Sequence, residues 1–247
     1  MAAHMDFVLT SDLDWASEAC VEGFLALAAR YDVRATVFVT HDSAAIRRAT
    51  AAGAVELGVH PNFHQPSSHG RTTDEVIDYV CRLAPGARAV RCHRHITDAV
   101  IEAALARHGL DLDSNTCRHL SPSIAPIRLA SGLLRMPVFF EDDFQWMAGH
   151  GWAFSDHAGA FFSPGLKILN FHPFFVALNC PDAAFYARHK SLIPSLTAEE
   201  AARLRHRGPG PASFLEEALT AVRASGHRFI TLSELAVQTS EMAGATA

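Results

Sequence analysis

From Asp6 to Gly109 the chain alternates short apolar runs with amphipathic stretches, and few architectures accept that order. Asp6–Thr10 (DFVLT), Ala35–Thr40 (ATVFVT), Val55–Val59 (VELGV) and Ala87–Arg91 read as strands. An unbroken apolar run, rather than strict alternation, is what a parallel strand covered on both faces requires. Between these runs lie four segments with apolar residues at helical spacing: Ser17–Tyr31, Ser43–Ala52, Thr72–Leu83 and Thr97–His108. The first sets Val21, Phe24, Leu25 and Ala28 on one face. The third opens on Thr-Thr-Asp-Glu, an N-terminal signature, and Gly53 and Gly109 follow the second and fourth as C-caps. Repeated βα units with short connections predict a parallel sheet or barrel. From Asn115 to Phe162 the pattern is irregular, with Pro122, Pro126 and Pro137 and no long amphipathic helix. Order returns with a strand at Leu166–Phe171, a helix at Ser213–Ala224, a strand at Arg228–Thr231 and a short last helix at Ser233–Val237. No repeat or linker divides the chain. The expectation is one α/β domain of barrel type over 1–247, with Met1–Met5 a tag remnant or flexible lead-in.

Composition narrows the function classes. The chain is 49% hydrophobic, enough to fill a core at this length, and 19% charged, which excludes disorder. No apolar run reaches the ~18 residues of a membrane span. Asp6, Asp12, Asp14, Glu18 and Glu22 leave no room for a signal-peptide core near the start. A net charge of -5 lacks the basic footprint of a nucleic-acid binder. The five cysteines (Cys20, Cys81, Cys92, Cys117, Cys180) are scattered, odd in number and make no C-x-x-C pair. They read as buried thiols of a cytoplasmic protein, not as a disulfide or zinc framework.

Fifteen histidines are many for this length, and their positions matter more than their number. Four strand ends carry reactive side chains: Ser11-Asp12-Leu13-Asp14-Trp15, His60-Pro61-Asn62-Phe63-His64, Arg91-Cys92-His93-Arg94-His95 and Asn170-Phe171-His172-Pro173. In parallel α/β folds such ends converge on one face. Any one cluster alone is more often a turn, a cap or a satisfied histidine. Four at successive strand ends point to a site. A catalytic zinc takes about three protein ligands and keeps one position open. One carboxylate from Asp12 or Asp14, with His60 and either His64 or His69, would supply them. The second carboxylate is then free to accept a proton from water, and His172 to donate one to a leaving group.

These motifs resemble the polysaccharide deacetylase superfamily, whose NodB-homology domain has T-F-D-D-G, H-S/T-x-x-H, R-x-P-x-G and L-x-H motifs. Thr10-Ser11-Asp12-Leu13-Asp14 is similar to the first, His60 to His64 to the second, Arg91 to the start of the third and Leu169 to His172 to the last. The variant looks nearest to members from bacterial surface-polysaccharide and secondary-metabolite gene clusters. The resemblance spans about residues 6 to 175. It implies a distorted (β/α) barrel holding a divalent metal, commonly Zn²⁺, that removes N-acetyl groups from amino sugars or glycoconjugates. Carried over, Asp12 is the general base, Asp14 and His60 are metal ligands, His172 is the general acid and Arg91 orients the base. Within Glu141-Asp142-Asp143 one carboxylate, taken as Asp143, orients His172. The D-x-D spacing leaves the division between Asp12 and Asp14 open. His64, with the family's spacing, and His69, in a Gly-ended loop, both stand as the second histidine ligand. Trp15, Asn62, His93 and Trp146 are assigned to substrate. Of the rest, His4, His41, His108, His119, His189, His206 and His227 read as surface residues. Arg203-Leu204-Arg205-His206-Arg207 reads as a solvated basic run, although a phosphate-bearing substrate would suit it. Two other readings stand beside this one: an amide hydrolase of different substrate on the same scaffold, and an inactive glycan-binding relative. The intact Asp12, Asp14, His60 and His172 set weighs against the second. Oligomeric state is silent in the sequence.

Overall fold

The alternation is realised as strands that curl around one axis. The computed structural model describes residues 5–245. Strands β1 (Asp6–Asp12), β2 (Ala35–Val39), β3 (Val55–Val59), β4 (Ala89–Val90) and β5 (Leu112–Asp113) alternate with helices α1 (Glu18–Arg30), α2 (Ala44–Ala51), α3 (Thr73–Leu83) and α4 (Ala99–Arg107). The irregular middle supplies β6 (Ile127–Arg128), β7 (Leu134–Arg135), β8 (Phe140–Glu141), α5 (Asp142–Met147) and α6 (Ala158–Phe161). The chain then makes β9 (Lys167–Asn170), α7 (Pro173–Leu178), α8 (Ala183–His189) and α9 (Ala198–Leu204). It ends with α10 (Pro211–Ala224), β10 (Arg228–Phe229) and α11 (Leu232–Ala245). The expected caps are in place. Ser17, Ser43 and Asp98 accept from the first turns of α1, α2 and α4, and Thr72 with Glu75 closes a full capping box on α3.

Hydrogen-bonded order in the sheet is β6-β7-β5-β4-β3-β2-β1-β9-β8, with β10 added beside the start of β1. All pairings are parallel except β6 with β7. The two sides of this curled sheet meet through one stretch of chain. Its beginning, β7, pairs with β5, and its end, β8, pairs with β9. Between them Met136 N donates to Asp113 O (2.7 Å), Val138 N to Thr116 O (2.8 Å) and Phe139 N to Ile168 O (2.8 Å). The result is the expected distorted barrel in a single domain.

Strand periodicity divides the core in two. Outward residues of β1, Phe7 and Leu9, join a large cluster beneath the helices, with Val21, Phe24, Leu27 and Ala28 of α1. Inward residues form a smaller cluster that includes Val8, Phe38, Ala89, Leu112, Val138 and Ile168. Gly58 of β3 faces this interior, where a Cβ would stand 2.5 Å from the Phe38 ring, so only glycine fits beside that phenylalanine. An aromatic cluster steadies the irregular middle: Phe140 stacks on Phe214 of α10 at 4.6 Å and 8°, and Phe161 packs edge-on against Phe139 and Phe154.

Three expectations change. The last helix runs to Ala245 instead of Val237, and α7, α8 and α9 form between Phe171 and Ser213, where no element was anticipated. Cys20, Cys92 and Cys180 are buried as expected, but Cys81 and Cys117 are half-buried; all five are free thiols. The proposed lead-in lies, except for Met5, outside the described residues. None of the described helices is long and apolar enough to cross a membrane.

Candidate active site

The same two-residue period that packs the barrel interior also builds the site. Stepping by two along β1 leads from Val8 through Thr10 to Asp12, and along β9 from Ile168 through Asn170 to His172. On β4 the series is Ala89, Arg91, His93, and on β3 it is Gly58, His60. Each series begins in the interior and emerges at the C-terminal mouth of the barrel. A cavity of ≈ 630 Å³ opens there, with Asp12, Asp14, His60, His93, His95, Glu141, Asp143 and His172 on its wall.

Arg91 forms the polar layer below that mouth. Its side chain is fully buried, with the guanidinium 4.3 Å over the Phe38 ring. Nη1 donates to Asp12 Oδ1 (2.9 Å), Thr10 Oγ1 (2.9 Å) and Asn170 Oδ1 (2.7 Å), and Nη2 donates to Ser114 Oγ (2.9 Å). Asn170 Nδ2 donates to the other Asp12 oxygen at 3.0 Å. Asp12 is therefore a buried carboxylate with both oxygens held from behind.

Asp14 lies at the centre of the mouth. His60 Nε2 stands 3.1 Å and His93 Nδ1 3.0 Å from its Oδ1, and His172 Nε2 is 3.7 Å from its Oδ2. Burial alone would raise the Asp14 pKa. Hydrogen bonds from His60 and His93, with the charges of His60 and His172, outweigh it and hold the carboxyl well below its usual range. Asp14 and Trp15 both have left-handed backbone, φ 44° and 57°, uncommon outside glycine and characteristic of strained functional turns. His172 is held on its far side by Asp142, whose Oδ1 is 2.6 Å from Nδ1 and whose Oδ2 accepts from the backbone N at 2.8 Å. Burial opposes a charged imidazolium, but the Asp142 carboxylate, helped by Asp14, raises the His172 pKa well above normal. Beside it His95 Nε2 meets Glu141 Oε2 at 2.9 Å. That pairing holds Glu141 down at about 2 against its burial. Burial and the Glu141 charge push Asp143 up to about 8.

A sequence profile of the WbmS-like polysaccharide deacetylases matches residues 9–190. The chain belongs to this family. A crystal structure of a Bordetella bronchiseptica protein, provisionally assigned as a polysaccharide deacetylase of O-antigen biosynthesis, is similar at 26% identity and a TM-score of 0.77. It covers 87% of this chain and 90% of its own. The fold is shared at lower identity with a provisionally assigned polysaccharide deacetylase from Mycobacterium smegmatis (18%, TM-score 0.59, 98% of this chain and 92% of that one). It is shared too with the CE4 domain of a multidomain xylanase from the Trinervitermes trinervoides hindgut metagenome (13%, TM-score 0.52, 96% and 92%). No functionally curated protein shows significant sequence similarity to the chain.

Against the residues expected of a deacetylase, this WbmS-like chain brings Asp12, Asp14, His60, Arg91 and His172 together and redistributes others. His64 is exposed and does not join the cluster. His69 is buried, but both ring nitrogens are engaged with backbone: Nδ1 accepts from Asn62 N (3.0 Å) and Nε2 lies 2.9 Å from Thr40 O. The ring also stacks on Tyr79 at 4.7 Å. His69 is thus a loop anchor, and burial lowers its pKa to about 4. The second imidazole at the cluster is His93, which had been assigned to substrate. Asp142, one residue before Asp143, is the carboxylate that holds His172. Trp15 does not line the cavity; its indole packs 5.1 Å from His93 and 5.5 Å from His69. Asn62 is buried and serves the loop, its Oδ1 accepting from His64 N at 3.0 Å. Trp146 does line the cavity, against Phe175 and Tyr186. His119, expected at the surface, is half-buried and lies 2.9 Å from Gln145 Oε1, and burial lowers its pKa to about 4. Sequence reasoning missed Asn170 and the His95–Glu141 pair. Asn170 was signalled by its position two residues before His172.

Proposed function

We propose that the chain is a metal-dependent hydrolase that removes an N-acetyl group from an amino sugar or glycoconjugate. The observation that carries this reading is the convergence of Asp14, His60 and His93. A carboxylate oxygen and two imidazole nitrogens lie within 4.8 Å of one another at the mouth of the barrel. This donor set, two imidazole nitrogens and one carboxylate oxygen with an open side toward the cavity, suits a catalytic divalent ion such as Zn²⁺. When bound, such an ion polarises the amide carbonyl and lowers the pKa of water.

The chain's own residues supply the proton transfers. Asp12, oriented by Arg91 and Asn170, presents its carboxylate to accept a proton from the attacking water. His172, kept protonated by Asp142, presents Nε2 toward the same space to donate to the departing nitrogen. The two groups have opposite partners, a guanidinium behind Asp12 and a carboxylate behind His172. Trp146, Phe174 and Phe175 give the cavity an aromatic wall suited to a sugar face. Acetate release from N-acetylated sugars by metal-loaded protein tests the reading. Loss of release in Asp12→Asn and His172→Ala, with folding intact, is expected. Wild-type rates in either variant overturn the assignment of roles, and no release from any N-acetyl sugar by the wild type overturns the activity.

A further inference from the structure

Arg94 and Lys190 are exposed cations on the wall of the cavity, and neither side chain has a hydrogen-bond or ion-pair partner among the described residues. The acids around them are already engaged. Asp12 is paired with Arg91, Glu141 with His95, and Asp14 with His60 and His93. Asp143, pushed up to about 8, adds little negative charge at neutral pH. Arg94 is also held in place. It sits in a tight turn closed by His95 N donating to Cys92 O (2.8 Å). Its neighbours His93 and His95 are tied to Asp14 and Glu141 at 3.0 and 2.9 Å. Arg94 and His95 both adopt left-handed backbone (φ 58° and 54°), which long side chains rarely do without a reason outside the backbone itself. In the basic run at Arg203–Arg207, by contrast, two of the three arginines are spent on structure. Arg205 Nη1 donates to Val176 O and Ala177 O at the end of α7, and Arg207 Nη2 to Ala202 O.

We propose that Arg94 and Lys190 receive a phosphate ester on the substrate, so that the sugar enters as a glycosyl phosphate rather than as a neutral glycan. This rests on the deacetylase reading above and names its substrate class. The planar fork of arginine matches two phosphate oxygens, and a lysine from a second element supplies a point charge for another. A carboxylate, with one charge and two oxygens, is satisfied by the arginine alone.

The test uses probes without an N-acetyl group, so that binding is read apart from turnover. Glucose 1-phosphate, glucose and glucuronate are titrated calorimetrically into metal-loaded wild type and an Arg94→Asn/Lys190→Gln double variant. Asparagine tolerates the left-handed position, and both sites are at the surface. Glucose 1-phosphate is expected to bind about tenfold more tightly than glucose in the wild type. That ratio should shrink with added salt and fall near one in the double variant. Equal binding of glucose and glucose 1-phosphate overturns the proposal. So does a phosphate preference that survives in the double variant, which would place the anion at the metal centre. Glucuronate binding as tightly as glucose 1-phosphate overturns the choice of phosphate. If the preference holds but no N-acetyl sugar, phosphorylated or not, yields acetate, the deacetylase reading fails and the anion site stands.

Discussion

Replacing Arg91 by Met exposes how much of the fold rests on one buried ion pair. The guanidinium is fully buried and Asp12 only 3% exposed, so the substitution leaves a carboxylate in the barrel interior without its cation. Among its hydrogen bonds only that from Asn170 Nδ2, at 3.0 Å, survives. Breaking a buried pair from one side costs about 3–5 kcal/mol, mostly the penalty of the stranded charge. Against a total stability of roughly 5–15 kcal/mol, that is about a fifth or more. Urea unfolding followed by circular dichroism should show the midpoint falling by about 1–2 M. Asp12→Asn should cost less, because the guanidinium keeps Thr10, Asn170 and Ser114 as acceptors. The double variant removes both charges and should be more stable than the sum of the single losses implies, by about 2 kcal/mol. A loss under about 1 kcal/mol for Arg91→Met, or strict additivity in the cycle, refutes the argument that the buried Arg91–Asp12 pair supports the fold.

Other expectations follow from the same geometry. His93→Ala and His60→Ala should each lower bound metal well below one ion per chain by elemental analysis, and His64→Ala should not; the reverse pattern would restore His64 as a ligand. Asp142→Asn should reduce acetate release about 10²-fold while leaving metal content unchanged, since it acts through His172. A variant that keeps the wild-type rate refutes that role. Phe214→Ala removes the ring stacked on Phe140 and should cost about 3–5 kcal/mol in urea unfolding; a loss below about 1 kcal/mol would show the stack to be dispensable. Lys167 is buried, its Nζ 3.9 Å from the Phe139 ring centre, and burial lowers its pKa to about 8. The unfolded chain then binds more protons than the folded one between about pH 8 and 10, so this residue's contribution to stability rises with pH across that window. Lys167→Met should therefore be more stable than wild type at about pH 7, and that advantage should shrink as the wild type gains stability toward about pH 10. A difference that does not change with pH rules Lys167 out.

The first half of the fold was legible because parallel strands covered on both faces must be apolar throughout, and DFVLT, ATVFVT and VELGV satisfy that without ambiguity. The segments at β6 to β8 were not, because two-residue strands leave no period to read. Asp12, Asp14, His60, Arg91 and His172 could be found because each stands at or just beyond a strand end. His93 falls with Asp14 and His60 although the four-residue spacing from His60 to His64 matches a familiar motif, and parity along β4 is the better guide to it. Stepping by two from Ala89 leads through Arg91 to His93, while Pro61 ends the regular path of β3 and His64 turns into solvent. The choice among Glu141, Asp142 and Asp143 depends on how β8 enters α5. That angle is set by Phe140 packing against a helix seventy residues later, which local sequence does not record.

That last contact bears on how the molecule can be dissected. The family's shared sequence ends at residue 190, and every proposed proton donor, acceptor and metal donor falls inside it. Phe214, which backs Phe140, falls outside, as does β10, which pairs with the first residues of β1. A fragment cut at the family boundary would therefore carry the full complement of reactive groups without the α10 ring stacked on Phe140 in the arm that aims His172. The stretch matched by the family profile is shorter than the unit of folding, and domain swaps or truncations should be drawn beyond α10 and β10.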